Sequence, residues 1–278
     1  MEAPTSPPRV LSIAGSDSGG GAGIQADLKA FARCGAHGMT AITAITAQNT
    51  TGVSGVYAVP PEAIVAQVRA VAEDIGVDAV KIGMLGNAET IEAVARALEL
   101  VGGARVVLDP VMVAESGARL LEPEAVDALR EELLPRATVV TPNLAEARIL
   151  AGAEAGDGRG GAGPEELARR VQALGPRAVV ITGAHSADAT DYFFDGEQLV
   201  ALPGERQADG AAHGSGCTHS SALAAGLAAG LDPLEAARRA KEVAANAVRD
   251  GLRELGAGAG PVDVLGLSRR AAGEPAGR

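Results

Sequence analysis

Short β-branched apolar runs alternate with Ala- and Leu-rich stretches along most of the chain. The runs Arg9–Ala14, Gly38–Ala47, Val53–Val59, Ala79–Ile82, Arg105–Asp109, Thr138–Thr141 and Ala178–Thr182 read as strands. Helices are predicted at about Ile24–Cys34, from Pro60-Pro61 to Ile75, and at Glu122–Leu133, Asn143–Ala151 and Pro164–Leu174. Asp195-Gly196, between Thr190–Phe194 and Gln198–Leu202, predicts a hairpin. Two more helices, Cys217–Ala229 and Pro233–Asp250, complete the pattern, and the tail after Leu267 reads as disordered. Strand and helix alternating in this way predict an α/β fold, a mostly parallel sheet with helices on both faces. The Gly-rich stretch Gly152–Gly163 reads as an exposed loop within one domain, residues 9–267, flanked by flexible termini at 1–8 and 268–278. Ligands of such sheets bind beyond the carboxyl ends of the strands. Gly15–Gly23, Gln48, Asp109, Asn143 and Gly183 all fall there.

Composition narrows the partners. Apolar residues make up 47% of the 278, but aromatics only 2%, so the core is built from Ala, Val, Leu and Ile. A net charge of -11 with no basic run excludes nucleic acid and anionic membrane as natural partners. An anionic substrate must then be met locally, by backbone dipoles or a metal. Cys34 and Cys217 form neither a metal-spacing motif nor a disulfide framework, which suits a reducing cytosol. No signal core and no 18-residue apolar run is present, so a cytoplasmic location is expected.

The candidate chemistry centres on Ala211–Gly230, AAHGSGCTHSSALAAGLAAG. A glycine turn entering an Ala/Leu helix leaves N–H groups unpaired at the positive end of the dipole, an anion site. Cys217 in that field is a base or nucleophile with a lowered pKa, or else a small buried hydrophobe beside a tight turn. Gly21-x-Gly23-x-x-Ala26 fits the dinucleotide fingerprint only loosely, since the second strand ends in Gln48-Asn49 and not in an acid. No P-loop is present, which leaves a glycine loop open to close approach by a ligand. Asp109 ends a strand, as a metal ligand or a turn aspartate. Asn143 and Glu146 share a helix face, where they either hold a hydrated magnesium or form a capping box. Lys81 reads as an edge or surface lysine, and His37, His185, His213 and His219 show no metal spacing and are assigned no chemistry.

Together these pieces become recognisable. Ile13-Ala14-Gly15-Ser16-Asp17-Ser18-Gly19-Gly20-Gly21-Ala22-Gly23-Ile24-Gln25-Ala26-Asp27 resembles the opening signature of the hydroxymethylpyrimidine/phosphomethylpyrimidine kinases of thiamine biosynthesis. Ala47-Gln48-Asn49-Thr50, Lys81-Ile82-Gly83-Met84-Leu85, Asp109-Pro110-Val111-Met112, Thr141-Pro142-Asn143-Leu144-x-Glu146 and His213-Gly214-Ser215-Gly216-Cys217-Thr218 follow in the family's order. The resemblance implies a ribokinase-like three-layer sandwich and ATP- and magnesium-dependent phosphorylation of a hydroxymethylpyrimidine, first to the monophosphate and then to the diphosphate. It places the pyrimidine at Gly15, Asp27, Gln48, Met84, Val111 and Cys217, and the anion hole at Gly214, Ser215, Gly216 and Cys217. ATP falls to Asn143, Thr182 and Gly183, and magnesium to Asp109 and Glu146. Cys217 stands where ribokinase relatives carry an aspartate base. Thr182 and Ala212 depart from the family, which often has a phosphate-contacting lysine at the first position and a threonine at the second. The expected partners are ATP, the pyrimidine and a second copy in a homodimer. A pyridoxal or pyridoxine kinase of the same fold is the alternative function. A non-catalytic vitamin- or nucleotide-binding module and a nicotinamide dehydrogenase are the readings from other classes.

Overall fold

The computed structural model describes residues 6–115, 117–153, 161–183, 189–207 and 211–271. Its strands are β1 Arg9–Asp17, β2 His37–Asn49, β3 Gly52–Ala58, β4 Ala79–Ile82, β5 Arg105–Leu108, β6 Val139–Val140, β7 Ala178–Ile181, β8 Asp191–Phe194 and β9 Leu199–Leu202. Its helices are α1 Gly23–Arg33, α2 Pro61–Asp74, α3 Ala88–Leu98, α4 Ala125–Ala128, α5 Leu144–Leu150, α6 Pro164–Gln172, α7 Ser215–Ala228, α8 Pro233–Arg249 and α9 Leu267–Ala271. The strands form one sheet in the order β3-β2-β1-β4-β5-β6-β7-β8-β9. β2, β1, β4, β5, β6 and β7 run parallel, while β3 at one edge and the β8–β9 hairpin at the other are antiparallel.

Period-two alternation assigns the two faces. Leu11, Ile13, Val80, Ile82, Val106, Leu108, Val179 and Ile181 pack on the side of α2, α3, α5 and α6. Val10, Ala79, Val107, Ala178 and Val180 pack on the opposite side, against α7 and α8 and Phe31 of α1. Strands buried on both faces explain why the runs read as continuous apolar segments rather than half-polar ones.

Four expectations need correction. Helix α3 is an element beyond those expected: Asn87 caps it by accepting from Thr90 N, and Ile91, Val94, Ala95 and Leu98 mark its buried face. The helix expected over Glu122–Leu133 is regular only at α4. It continues as a wider π-helical turn over Leu129–Leu133 and a 3-10 turn over Leu134–Arg136, and Leu129, Leu133 and Leu134 are all buried there. The tail is ordered through α9, because Asp263 accepts from the N–H groups of Leu267 and Ser268. Residues 154–160 of the expected loop, and His185, lie outside the described residues.

The fourth correction is Lys81, which sits on the central strand β4, not at an edge. Lys81 and Asp27 of α1 are both 0% exposed. The ammonium donates to Asp27 Oδ1 at 2.9 Å, and Ser12 and Ser221 hydroxyls donate to the two Asp27 oxygens at 2.6 and 2.7 Å. Asp109 lies 3.9 Å further on. Burial alone would lower the Lys81 pKa; the facing Asp27, Cys217 and Asp109 outweigh it and hold the lysine charged. A Cβ at Gly83 would come within 2.8 Å of the ammonium, so glycine there leaves it room.

Candidate active site

A cavity of about 400 Å³ opens at the carboxyl ends of the parallel strands. At one end stand Gly15, Gln48, Met84 and Val111. A Cβ at Gly15 would lie 2.9 Å from Met84 Cε, so the missing side chain makes space for the thioether. Ser18 clips Gln48 to the glycine loop, donating to its carbonyl at 2.6 Å and accepting from its N–H at 2.9 Å. The Gln48 side-chain oxygen accepts from Thr46 Oγ1 at 3.1 Å, which leaves its amide NH₂ and a second lone pair free to meet a ligand. Asp27, expected at the same end, is behind the wall: it is fully buried and holds Lys81, which alone of the pair reaches the cavity floor.

The first turn of α7 forms the middle of the cavity. Gly214 enters it in the left-handed conformation at φ 84°, and a Cβ there would lie 1.8 Å from the Gly21 carbonyl oxygen. Ser215 N–H turns back to Ala212 O, so of the four expected anion-hole residues Gly216 and Cys217 offer N–H groups for which the helix supplies no acceptor. The half-buried Cys217 thiol lies in the same turn. Burial, assisted by Asp27 and Asp109, pushes it up to about 12 despite Lys81 and a backbone N–H from Gly23. Desolvation and the two carboxylates outweigh Lys81 and the Gly23 N–H.

The glycine loop is also different from expected. Asp17 accepts from Gly19 N at 2.8 Å, Gly21 N at 3.0 Å and Ala22 N at 2.8 Å. Its fourth partner is His213 Nε2 at 3.1 Å. These N–H groups therefore face an internal carboxylate instead of a ligand, and together with His213 they hold Asp17 below the usual carboxylate range against its burial.

Asp109 and Glu146 both reach the cavity. Asp109 accepts from Ser220 Oγ at 2.9 Å, and burial raises its pKa. The capping box of α5 is formed in full: Asn143 Oδ1 accepts from Ala145 N and Glu146 N, and Glu146 Oε2 accepts from Asn143 N, each at 2.9 Å. Glu146 is 8% exposed, and burial followed by repulsion from Asp109 pushes its carboxyl up to about 8. No cluster of three or more His, Cys, Asp or Glu poised for a metal exists among the described residues.

At the far end the cavity is lined by Thr182, Ala189, Asp191, Arg206, Lys241 and Val248. Gly183 stands behind this wall, its N–H committed to Asp191 Oδ1 at 2.8 Å. Asp191 also holds Lys241 Nζ at 2.9 Å, and the lysine donates to Ala189 O at 2.7 Å. Lys241 carries no signal in the sequence, and the roles of His213 and His219 are hidden there because their partners lie far off in the chain. His219 is buried with neither ring nitrogen hydrogen-bonded, 3.6 Å from Asp191 Oδ2, and burial lowers its pKa. His37 is exposed on β2, away from the cavity.

Residues 17–263 match the family model for phosphomethylpyrimidine kinase. A hydroxymethylpyrimidine/phosphomethylpyrimidine kinase of Rhizobium meliloti is 54% identical over 91% of this chain and 95% of its own length. The structure of phosphomethylpyrimidine kinase from Clostridium difficile superposes with a TM-score of 0.72 at 39% identity, over 84% of this chain and 96% of that one. A pyridoxal kinase from Staphylococcus aureus, in complex with AMP-PCP and pyridoxal, superposes with a TM-score of 0.82 at 34% identity, covering 95% and 96% of the two chains. The chain has the ribokinase-like fold of these kinases and belongs to the phosphomethylpyrimidine kinase family.

Proposed function

We propose that this cavity phosphorylates 4-amino-5-hydroxymethyl-2-methylpyrimidine from ATP, then phosphorylates the product to the diphosphate, in the cytoplasm. The observation that carries the proposal is that Gln48, the first turn of α7, Lys241 and Arg206 all line one cavity. A 4-aminopyrimidine edge presents an amino donor beside a ring-nitrogen acceptor, and a carboxamide is its complement. Gly15, Met84 and Val111 then form the apolar bed of the ring. The N–H groups of Gly216 and Cys217 face the charge that develops on the transferred phosphoryl group. Such a transition state needs positioning and charge stabilisation more than a strong base, so a thiol that keeps its proton is compatible with turnover.

At the far end Asn143 and Thr182 border the nucleotide. Lys241 takes over from the lysine that the family often has at position 182, because Asp191 holds its ammonium next to the Gly183 backbone. Asp109 and Glu146 fit a magnesium ion: two nearly buried carboxylates face one cavity, and burial and their mutual repulsion, which a cation between them would relieve, raise the pKa of Glu146. Bound there with ATP, the ion would neutralise phosphate charge. The homodimer rests on Ile45, Val56 and Tyr57, each more than half exposed on β2 and β3.

Gln48→Leu is expected to weaken pyrimidine binding by about 1–3 kcal/mol while leaving ATP affinity unchanged. Isothermal titration with each ligand checks this, and equal losses for both would remove Gln48 from the pyrimidine edge. The same titration with pyridoxal, competed against the pyrimidine, reads out the alternative substrate.

Cys217→Ser is expected to keep turnover within about tenfold of wild type, well short of the roughly 10²–10⁴-fold that loss of a general base costs. A larger drop in steady-state turnover at unchanged melting temperature would restore the thiolate as the base.

Glu146 carries its proton up to about 8 when folded, against an ordinary 4.5. The native state therefore binds the extra proton between those values, and stability in chelator falls as pH rises through that window. Melting curves of wild type should decline relative to Glu146→Gln from pH 5 to 8, and the variant should need more magnesium for turnover. Parallel melting curves and an unchanged magnesium requirement would leave Glu146 with its capping role alone. For the dimer, sedimentation velocity should give one species of twice the chain mass at micromolar concentration; a monomer there refutes it.

A further inference from the structure

The two glycine segments of the site are interlocked. Asp17, at the end of β1, sits inside the glycine loop with its carboxylate bound by three backbone N–H groups, and its remaining bond reaches across to His213. His213 is the residue that leads into Gly214 and the first turn of α7. The imidazole lies directly on Gly21: a Cβ there would be 2.3 Å from His213 Cδ2 and 2.7 Å from Nε2. Gly214 in turn packs on the Gly21 carbonyl. From behind, the His213 carbonyl accepts from Val262 N at 3.1 Å, so the backbone is held while the ring spans the loops.

We infer that the Asp17–His213 bond is a latch that sets the position of the α7 first turn relative to the pyrimidine end of the cavity, making both positioning residues for phosphoryl transfer. The inference rests on the anion-hole role proposed for Gly216 and Cys217. Asp17 is the internal anion of the glycine loop, and the loop's Gln48 clip through Ser18 places the pyrimidine on the same rigid body. The latch therefore couples the point where the acceptor ring is held to the point where the transferred phosphoryl group is stabilised. Displacing one from the other by about an ångström is enough to cost about a hundredfold in rate. A second bond, from the Gly23 N–H to the Cys217 thiol, also joins the loop to segment 211–217, but His213 alone reaches the Asp17 carboxylate that organises the loop.

Three variants of the full chain test this, with kcat, KM for hydroxymethylpyrimidine, KM for ATP and melting temperature measured for each. His213→Leu keeps the packing volume but removes the donor; its kcat is expected to fall about 10- to 100-fold, with both KM values within about threefold. His213→Gln retains an N–H within reach of Asp17 and is expected to recover kcat to within about threefold. If the leucine variant does not fold, His213→Asn, polar but too short to span the gap, replaces it in the comparison. Gly214→Ala, which forces the turn away from Gly21, is expected to lose turnover as well. Unchanged kcat in His213→Leu with Gly214→Ala inactive overturns the latch and leaves the anion hole standing. Retained turnover in Gly214→Ala overturns the anion hole and the latch together. A loss confined to KM, or a glutamine variant as slow as the leucine one, also overturns the latch.

Discussion

The buried Lys81–Asp27 pair is the constraint on which the rest of the site depends. A lysine in the central strand of a doubly covered sheet is tolerable only with a carboxylate and further hydrogen bonds around it. Asp27 supplies the charge from α1, while Ser12 of β1 and Ser221 of α7 occupy its remaining lone pairs. Four separate elements must therefore meet at one point before any of them is stable there. Such a pair adds little net stability over an apolar replacement, but either half left alone is costly. Its value is in register: it fixes α1 and α7, whose N-terminal ends border the cavity, against the strands that deliver Gly15 and Asp109.

Charge then decides how an acidic protein handles an anionic reaction. Asp17, Asp109 and Glu146 all line the cavity. Each is neutralised differently. Asp17 is consumed by backbone N–H groups and His213, and so stays ionised. Asp109 has Ser220 and the more distant Lys81, while Glu146 has only backbone donors and is pushed toward its protonated form. The gradient leaves an acidic pair, Asp109 and Glu146, and the backbone N–H groups at the start of α7 in the same cavity. A glycine loop is commonly a phosphate site because its N–H groups point outward. Here the chain's own aspartate fills that role, and the loop becomes a structural joint.

Much of this was legible in the sequence. Period-two and continuous apolar runs identified the nine strands of the described residues, since β-branched residues and flanking turns mark them locally. The capping-box spacing of Asn143 and Glu146 and the Asp195-Gly196 turn are short-range devices, and they formed as their residues dictate. Ordered motifs located Gly15, Gln48, Met84, Val111 and the α7 turn, and the fold gathers them into one cavity. The irregular helix after Glu122 was not legible, because which leucines face the core depends on the layer packed above them.

Only the tertiary structure decided protonation and partnership. Lys81 reads as a surface residue from its own neighbours in the chain, and becomes a core residue because Asp27 lies across the layer from it. Cys217 reads as a lowered thiol from its helix end, while in the fold desolvation with Asp27 and Asp109 beside it pushes the thiol up against Lys81. His213 opens a family stretch in the sequence, but its partner Asp17, 196 residues away, is brought to 3.1 Å only by the fold. Local propensity follows from backbone and side-chain sterics within a few residues, so the sequence by itself determined the strands, most of the helices and their order. Desolvation and Coulomb interactions depend on what lies within a few ångströms regardless of chain distance, and those neighbours exist only once the chain has folded.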